Sequence, residues 1–111
     1  MADSEILKTI VAQFSRDQKV TISKWFGSPC VKTHNKVFAI LWGRDVAFKL
    51  TGDANAEALR IPGARLFDPQ GKNRPMKEWV KIPADQASLW ERFAQLAFDY
   101  VSSLTDKESR M

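Results

Sequence analysis

The chain has 111 residues, of which 44% are hydrophobic, and its formal net charge is +4. This length suits one domain with a sizeable core and excludes two such domains. The single cysteine, Cys30, excludes an internal disulfide, and no apolar run reaches the roughly 20 residues of a membrane-spanning helix. Because no signal-peptide pattern opens the chain, we expect a cytoplasmic protein that does not enter a membrane.

Positive charge is concentrated in the middle of the chain. Residues 16 to 81 contain 13 Lys and Arg against 6 Asp and Glu, whereas the two ends together contain 4 against 7. This distribution has two interpretations, a surface that attracts phosphate groups or ordinary solubilising charge scattered over strands. The charge pattern by itself favours the second.

The N-terminal third predicts one helix followed by two strands. Apolar residues recur at helical spacing between residues 4 and 15, and Asp3 or Ser4 can cap the start of that helix. Strands are predicted over residues 20–26 and 30–33, because β-branched and aromatic residues dominate both segments. The turn into the next strand is supplied by His34, Asn35 and Lys36.

Residues 37–50 predict a β-hairpin around Gly43 and Arg44. If the loop has two residues with Gly43 first, as a type II′ turn requires, the pairs on one face are Leu41 with Val46, Ala39 with Phe48, and Val37 with Leu50. The other face then carries Phe38, Ile40 and Trp42 opposite Asp45, Ala47 and Lys49. A three-residue loop would exchange the faces of the first strand. Either way one side is core and the other keeps a partly apolar patch, so Phe38, Ile40 and Trp42 form a candidate self-association face.

The second half of the chain predicts a short helix, two strands and a long helix. Thr51 or Asp53 can cap a helix that ends before Pro62 and Gly63. Strands are predicted over residues 65–67 and 76–82, with a polar loop between them. The long helix carries one apolar stripe: Leu89, Trp90, Phe93, Leu96, Ala97, Tyr100, Val101 and Leu104.

This order of elements indicates a two-layer α+β sandwich with an antiparallel sheet and helices packed on one face. It comprises a helix, three or four strands, a short helix, two strands and a long helix. We expect one domain over residues 1–111, ordered from about residue 4 to residue 104, with 105–111 as a frayed tail.

Catalytic chemistry and cofactors are not indicated. No Ser-His-Asp set or acid/base pair of carboxylates stands out, and the one histidine, His34, lies in turn sequence without further metal ligands nearby. Cys30 is a nucleophile only if a neighbouring base or positive dipole lowers the pKa of its thiol, and packing in a strand is the simpler interpretation. We therefore expect a protein without enzymatic activity, metal or cofactor.

Two features are candidates for contacts with a partner. Lys72, Arg74 and Lys77 form a compact basic group in the polar loop, suited to a polyanion or an acidic protein. The four tryptophans alternate with lysines and can either stack on unpaired bases or build a core and a dimer interface. Core or interface is the commoner use.

Several segments, in this order, resemble the N-terminal-domain family of TfoX/Sxy proteins. They are Lys24-Trp25-Phe26-Gly27, Lys36-Val37-Phe38-Ala39, Ala47-Phe48-Lys49-Leu50, the loop from Gly71 to Pro75, and Met76-Lys77-Glu78-Trp79-Val80. Residues 27–32 are also similar to the related MmcQ/YjbR-like proteins. The resemblance implies the element order α-β(3)-α-β(2)-α and a domain that acts in the control of transcription and natural competence. It carries no catalytic residues.

Together these features predict a non-enzymatic regulatory or protein-interaction module that self-associates as a dimer. The alternative is a nucleic-acid-binding protein that uses its basic central region. The two hypotheses are thus binding of a protein partner and binding of a nucleic acid.

Overall fold

The computed structural model describes residues 8–14, 20–69, 71 and 75–109, with side chains as far as residue 104. The elements in chain order are α1 (helical over residues 8–12), β1 (Val20–Trp25), β2 (Ser28–Thr33), β3 (Lys36–Trp42), β4 (Asp45–Lys49), α2 (Gly52–Leu59), β5 (Arg65–Phe67), β6 (Met76–Ile82), a 3-10 helix (Ala84–Leu89) and α3 (Trp90–Ser109). The predicted caps Asp3 and Ser4 lie outside the described residues.

The strands form one six-stranded sheet in the order β1-β2-β3-β4-β6-β5, and every neighbouring pair is antiparallel. The buried side chains of α1, α2 and α3 all pack on one face of this sheet. The predicted α+β sandwich is confirmed. Four strands precede α2 rather than the three implied by the family resemblance, because the tight turn at Phe26 and Gly27 divides that region into β1 and β2.

Backbone turns with positive φ set the register of the first four strands. His34 and Asn35 have φ of 53° and 65°, as a type I′ hairpin turn requires. In the next turn Gly43 has φ of 64° and Arg44 is not in the positive-φ region, as in a type II′ turn. Of the two loop lengths that the sequence left open, the structure has the two-residue loop, which pairs Leu41 with Val46 and Ala39 with Phe48.

Replacing Gly43 with alanine is expected to lower the free energy of unfolding by about 1 kcal/mol. The cause is backbone strain at φ of 64°, because no described atom lies within 4 Å of the position that a Cβ would take. Urea denaturation measures the change. Arg44→Ala, in the same turn without positive φ, is the matched control, and an equal loss in both variants would contradict the explanation.

A β-bulge interrupts the pairing of β2 with β3. Val31 pairs with Ala39 whereas Lys32 pairs with Val37, so the ladder skips Phe38. Two residues of the bulged strand then oppose one residue of its partner, and the in-and-out alternation of side chains breaks at that point. Phe38 and Ala39 consequently both lie in the helix-facing core.

This bulge corrects two predictions about the faces of β3. Phe38 does not share a face with Ile40 and Trp42, because it packs under the helices while they lie on the opposite side of the sheet. Val37, predicted on the side of Ala39, lies instead with Ile40 and Trp42. Alternation read from a sequence assumes an unbroken ladder, and the extra residue shifts every position before it to the other face.

The helix-facing core is organised around aromatic rings and the start of α3. Phe14 stacks on Phe98 with ring centroids 4.4 Å apart and meets Phe38 edge-on at 5.6 Å. The indole Nε1 of Trp90 donates a buried hydrogen bond of 3.1 Å to the carbonyl oxygen of Ile82. That bond fastens α3 to the end of β6.

The long helix differs from the sequence prediction at its start, where a 3-10 helix precedes α3. The backbone of α3 is helical as far as Ser109. Once a helix is nucleated, each further residue adds a hydrogen bond at little cost, so a polar segment can extend it. No helix in the described part of the chain is long and apolar enough to cross a membrane.

Candidate functional site

The side of the sheet turned away from the helices carries a second cluster of buried residues. Its fully or nearly fully buried members are Cys30, Ile40, Ala47, Phe67 and Trp79, and its partly buried members are Trp25, Val37, Trp42 and Met76. We call this surface the aromatic face. No described helix packs on this face, so its own aromatic side chains shield its centre from solvent.

Ring contacts across the aromatic face show that the sheet is curved. The rings of Trp25 on β1 and Trp79 on β6 have centroids 5.1 Å apart, although three strands lie between them. On a flat sheet those strands would be about 19 Å apart, at roughly 4.8 Å per step. Trp42 on β3 meets Phe67 on β5 at 5.0 Å across two intervening strands. The aromatic face is therefore the concave side of the sheet.

One row of paired residues crosses the middle of the aromatic face: Ser23, Cys30, Ile40 and Ala47. Three of these four side chains are small, which leaves space for the rings of Trp25 and Trp79 to approach each other. Curvature thus explains how the centre of this apolar face is buried, although no described helix covers it.

Four cationic side chains lie on the aromatic face. Strand pairing places Lys32 beside Val37, Lys49 opposite Trp79, and Lys81 between Ala47 and Arg65. In the six described strands, pairing places one carboxylate on this face, that of Asp45 opposite Trp42. The face is therefore cationic and aromatic together.

Two of these cations have weak ion-pair partners. Lys81 Nζ lies 3.9 Å from Asp45 Oδ2, and Lys49 Nζ lies 3.9 Å from Glu78 Oε1. Lys49 and Lys81 keep 28% and 31% of their side-chain surface exposed, and pairs of this kind contribute at most about 1 kcal/mol. A phosphate group can replace such a partner at small cost.

The other two cations have no carboxylate at ion-pair distance in the described part of the chain. Arg65 is exposed and Lys32 is half-buried. Asp45 is held elsewhere as well, because its Oδ1 accepts a 3.0 Å hydrogen bond from the backbone N–H of Ala84. The Asp45 carboxylate thus also holds the start of the 3-10 helix.

Of the predicted basic group, Lys72 and Arg74 lie outside the described residues, and Lys77 is the member that the structure describes. Lys77 is exposed and belongs to β6 rather than to a loop, and its carbonyl oxygen accepts a 2.9 Å hydrogen bond from Asn55 Nδ2. That bond anchors α2 to β6.

The predicted self-association face is largely inaccessible in the chain as described. Phe38 and Ile40 are both 0% exposed, on opposite sides of the sheet, and Trp42 is half-buried in the aromatic face. Sequence reasoning grouped them by strand alternation and named none of the four cations of the aromatic face as a site residue. Two of those cations, Lys49 and Lys81, are nevertheless among the lysines that alternate with the tryptophans. That alternation and the excess of basic residues in the strands are the signals that point to the aromatic face.

His34 lies in a turn and Cys30 lies in the interior of the protein. His34 lies in the β2–β3 turn with its Nδ1 3.1 Å from the hydroxyl oxygen of Thr33. Among the described residues, no three His, Cys, Asp or Glu side chains come together to hold a metal ion. Cys30 is fully buried, and burial raises the pKa of its thiol, against smaller opposing effects of the Lys32 charge and a hydrogen bond from the Ser23 backbone.

Cys30 is accordingly expected to react with a colorimetric disulfide reagent only when the protein unfolds. Both burial and the raised pKa suppress the thiolate that attacks the reagent. The measurement follows colour release from native protein at neutral pH, with urea-unfolded protein as the control. Fast stoichiometric reaction of the native protein would instead revive the hypothesis of a thiol-dependent site at Cys30.

No protein-family model, no curated protein and no solved structure matches this chain. The resemblance to TfoX/Sxy N-terminal domains therefore stays a prediction that rests on the sequence segments of this chain. The chemistry of the aromatic face follows from its own side chains.

Proposed function

We propose that the domain binds single-stranded nucleic acid on its aromatic face. The observation that carries this proposal is the combination of four cations with a row of aromatic rings on one concave surface. Two of these cations are in weak ion pairs, Lys81 with Asp45 and Lys49 with Glu78. Proteins that bind single strands without sequence preference use this combination, in which cations follow the phosphates and rings stack on bases.

The charges account for the phosphate contacts. The four cations come from four different strands and therefore form a broad cationic surface rather than one compact cluster: Lys32, Lys49, Arg65 and Lys81. Such a surface suits a chain of phosphates better than a single compact anion. Release of counterions on phosphate binding then supplies much of the affinity.

The exposed aromatic rings explain why we expect single-stranded rather than double-stranded nucleic acid. Trp25 and Trp42 are partly exposed on this face, and Phe26 beside Trp25 is 44% exposed, with ring centroids 4.6 Å apart. Indole and phenyl rings stack on unpaired bases, whereas bases in a duplex are already stacked. Trp79 is 4% exposed, so its role is to support Trp25.

The test is fluorescence anisotropy of labelled, mixed-sequence DNA titrated with protein at several salt concentrations. We expect tighter binding to single strands than to duplex. The logarithm of the affinity should fall with the logarithm of salt by about 0.7 per neutralised phosphate, so four contacts give a slope near −3. Absence of binding at low salt, or a slope near zero, would overturn the proposal.

The regulatory or protein-interaction module predicted from the sequence is our second proposal. It is supported by exposed apolar side chains at the β1 edge, where Ile22 is 49% exposed and Phe26 44%. Its original basis in Phe38, Ile40 and Trp42 does not support it, because two of these residues are fully buried. We therefore place nucleic-acid binding first.

A further inference from the structure

β1 is an edge strand with an exposed apolar residue at its centre. It pairs with β2 on one side, and within the described part of the chain no strand pairs with its other side. Ile22 in the middle of β1 is 49% exposed, the largest exposure among the bulky apolar side chains described. An edge of this kind is a template for another strand.

The outward-facing backbone groups of β1 follow from the turn that ends it. The turn at Phe26 and Gly27, with φ of 51° and 74°, closes with a hydrogen bond between the flanking residues Trp25 and Ser28. Bonded and non-bonded positions alternate along an antiparallel pair. Val20, Ile22 and Lys24 consequently direct their N–H and C=O groups away from β2.

These groups are self-complementary about Ile22. When two copies of β1 run antiparallel with Ile22 opposite Ile22, Val20 lies opposite Lys24 of the other copy, and all three positions meet as hydrogen-bonded pairs. Each such pair makes two hydrogen bonds. A register shifted by two residues brings fewer of these positions together. A further shift places Lys24 opposite Lys24, which like-charge repulsion opposes.

We propose that two copies of this chain associate through β1 in the register that sets Ile22 opposite Ile22. The apolar pair lies on the helix side of the joined sheet, since Ile22 pairs with the core residue Val31. A twofold axis through this pair keeps the aromatic faces of both copies on the same side. The proposal does not depend on nucleic-acid binding.

The first test is sedimentation velocity of the full chain between about 5 and 200 μM, the micromolar range typical of modest association. We expect a concentration-dependent dimer, and Ile22→Lys should raise its dissociation constant about tenfold or more, because two cations would then lie directly opposite each other. Leu59→Lys is the matched control, since Leu59 is 39% exposed on α2. It should leave the dimer unchanged.

Disulfide trapping then identifies the register. Opposed residues of a bonded pair have Cα atoms about 5.5 Å apart, within the range that a disulfide spans. Mild oxidation should therefore cross-link Ile22→Cys protein and not Leu59→Cys protein, while the fully buried Cys30 does not compete. A monomeric wild-type protein, a dimer that survives Ile22→Lys, or equal cross-linking of both cysteine variants would overturn the proposal.

Discussion

Phe38→Ala is expected to lower the free energy of unfolding by about 3–5 kcal/mol, one of the largest losses available to a single substitution. Phe38 is 0% exposed and meets Phe14 edge-on at 5.6 Å and Phe98 at 5.7 Å. Truncation removes the buried ring and leaves a cavity between α1, α3 and the sheet. Urea denaturation with an unchanged m-value measures the loss.

The same variant decides which face of β3 carries Phe38. Leu59→Ala, at a 39% exposed position, is the control and should change the free energy of unfolding by about 0.5 kcal/mol or less. If Phe38→Ala left stability unchanged and weakened self-association, Phe38 would lie on an outer face, as strand alternation alone predicts. A large loss of stability with unaltered association places it under the helices.

Replacing Lys32 and Arg65 together with glutamine is expected to weaken single-stranded DNA binding about 25-fold at 0.1 M salt. Each neutralised phosphate contributes a factor of about 5 at that concentration, from the salt slope of about 0.7 per contact. The slope itself should become less steep by about 1.4. These two residues are chosen because neither takes part in an ion pair among the described residues, so replacing them deprives no described carboxylate of a partner.

The control for this variant removes the same charge from elsewhere on the surface. Lys8 on α1 and Arg60 after α2 belong to the helix side of the protein, and both are exposed. Lys8→Gln with Arg60→Gln should leave the affinity within about twofold and the slope nearly unchanged, apart from the long-range effect of net charge. Equal losses in the two double variants would mean that net charge, rather than the aromatic face, attracts the DNA.

Local sequence patterns determined most of the elements. The glycine at position 43 and the apolar alternation around it predict a hairpin with a loop of two or three residues. The structure has the two-residue loop, which pairs Ala39 with Phe48. The apolar stripe from Leu89 to Leu104 defines a long helix with one buried side, which the structure contains as the end of the 3-10 helix and α3. These features depend on residues a few positions apart, so the sequence displays them directly.

The placement of Phe38 was decided by tertiary structure. The bulge arises because β3 pairs with β2 in a register that leaves Phe38 without a partner residue on β2. The sequence of β3 contains no residue that signals a bulge at this position. Alternation predicts faces correctly on the hairpin side, from Ala39 to Trp42, and fails at the residues before the bulge. Pairing between strands, rather than the strand alone, sets which side chains enter the core.

The candidate site was also decided by tertiary structure. Lys32, Lys49, Arg65 and Lys81 are spread over half the chain, and the sheet order β4-β6-β5 places the last three on neighbouring strands. Sequence reasoning instead chose Lys72, Arg74 and Lys77, because a sequence shows which residues are close along the chain and not which residues are close in space. The sequence by itself thus determined the elements and the excess of positive charge. Long-range pairing and sheet curvature decided which charges meet which rings, since both arise from contacts between residues far apart in the chain.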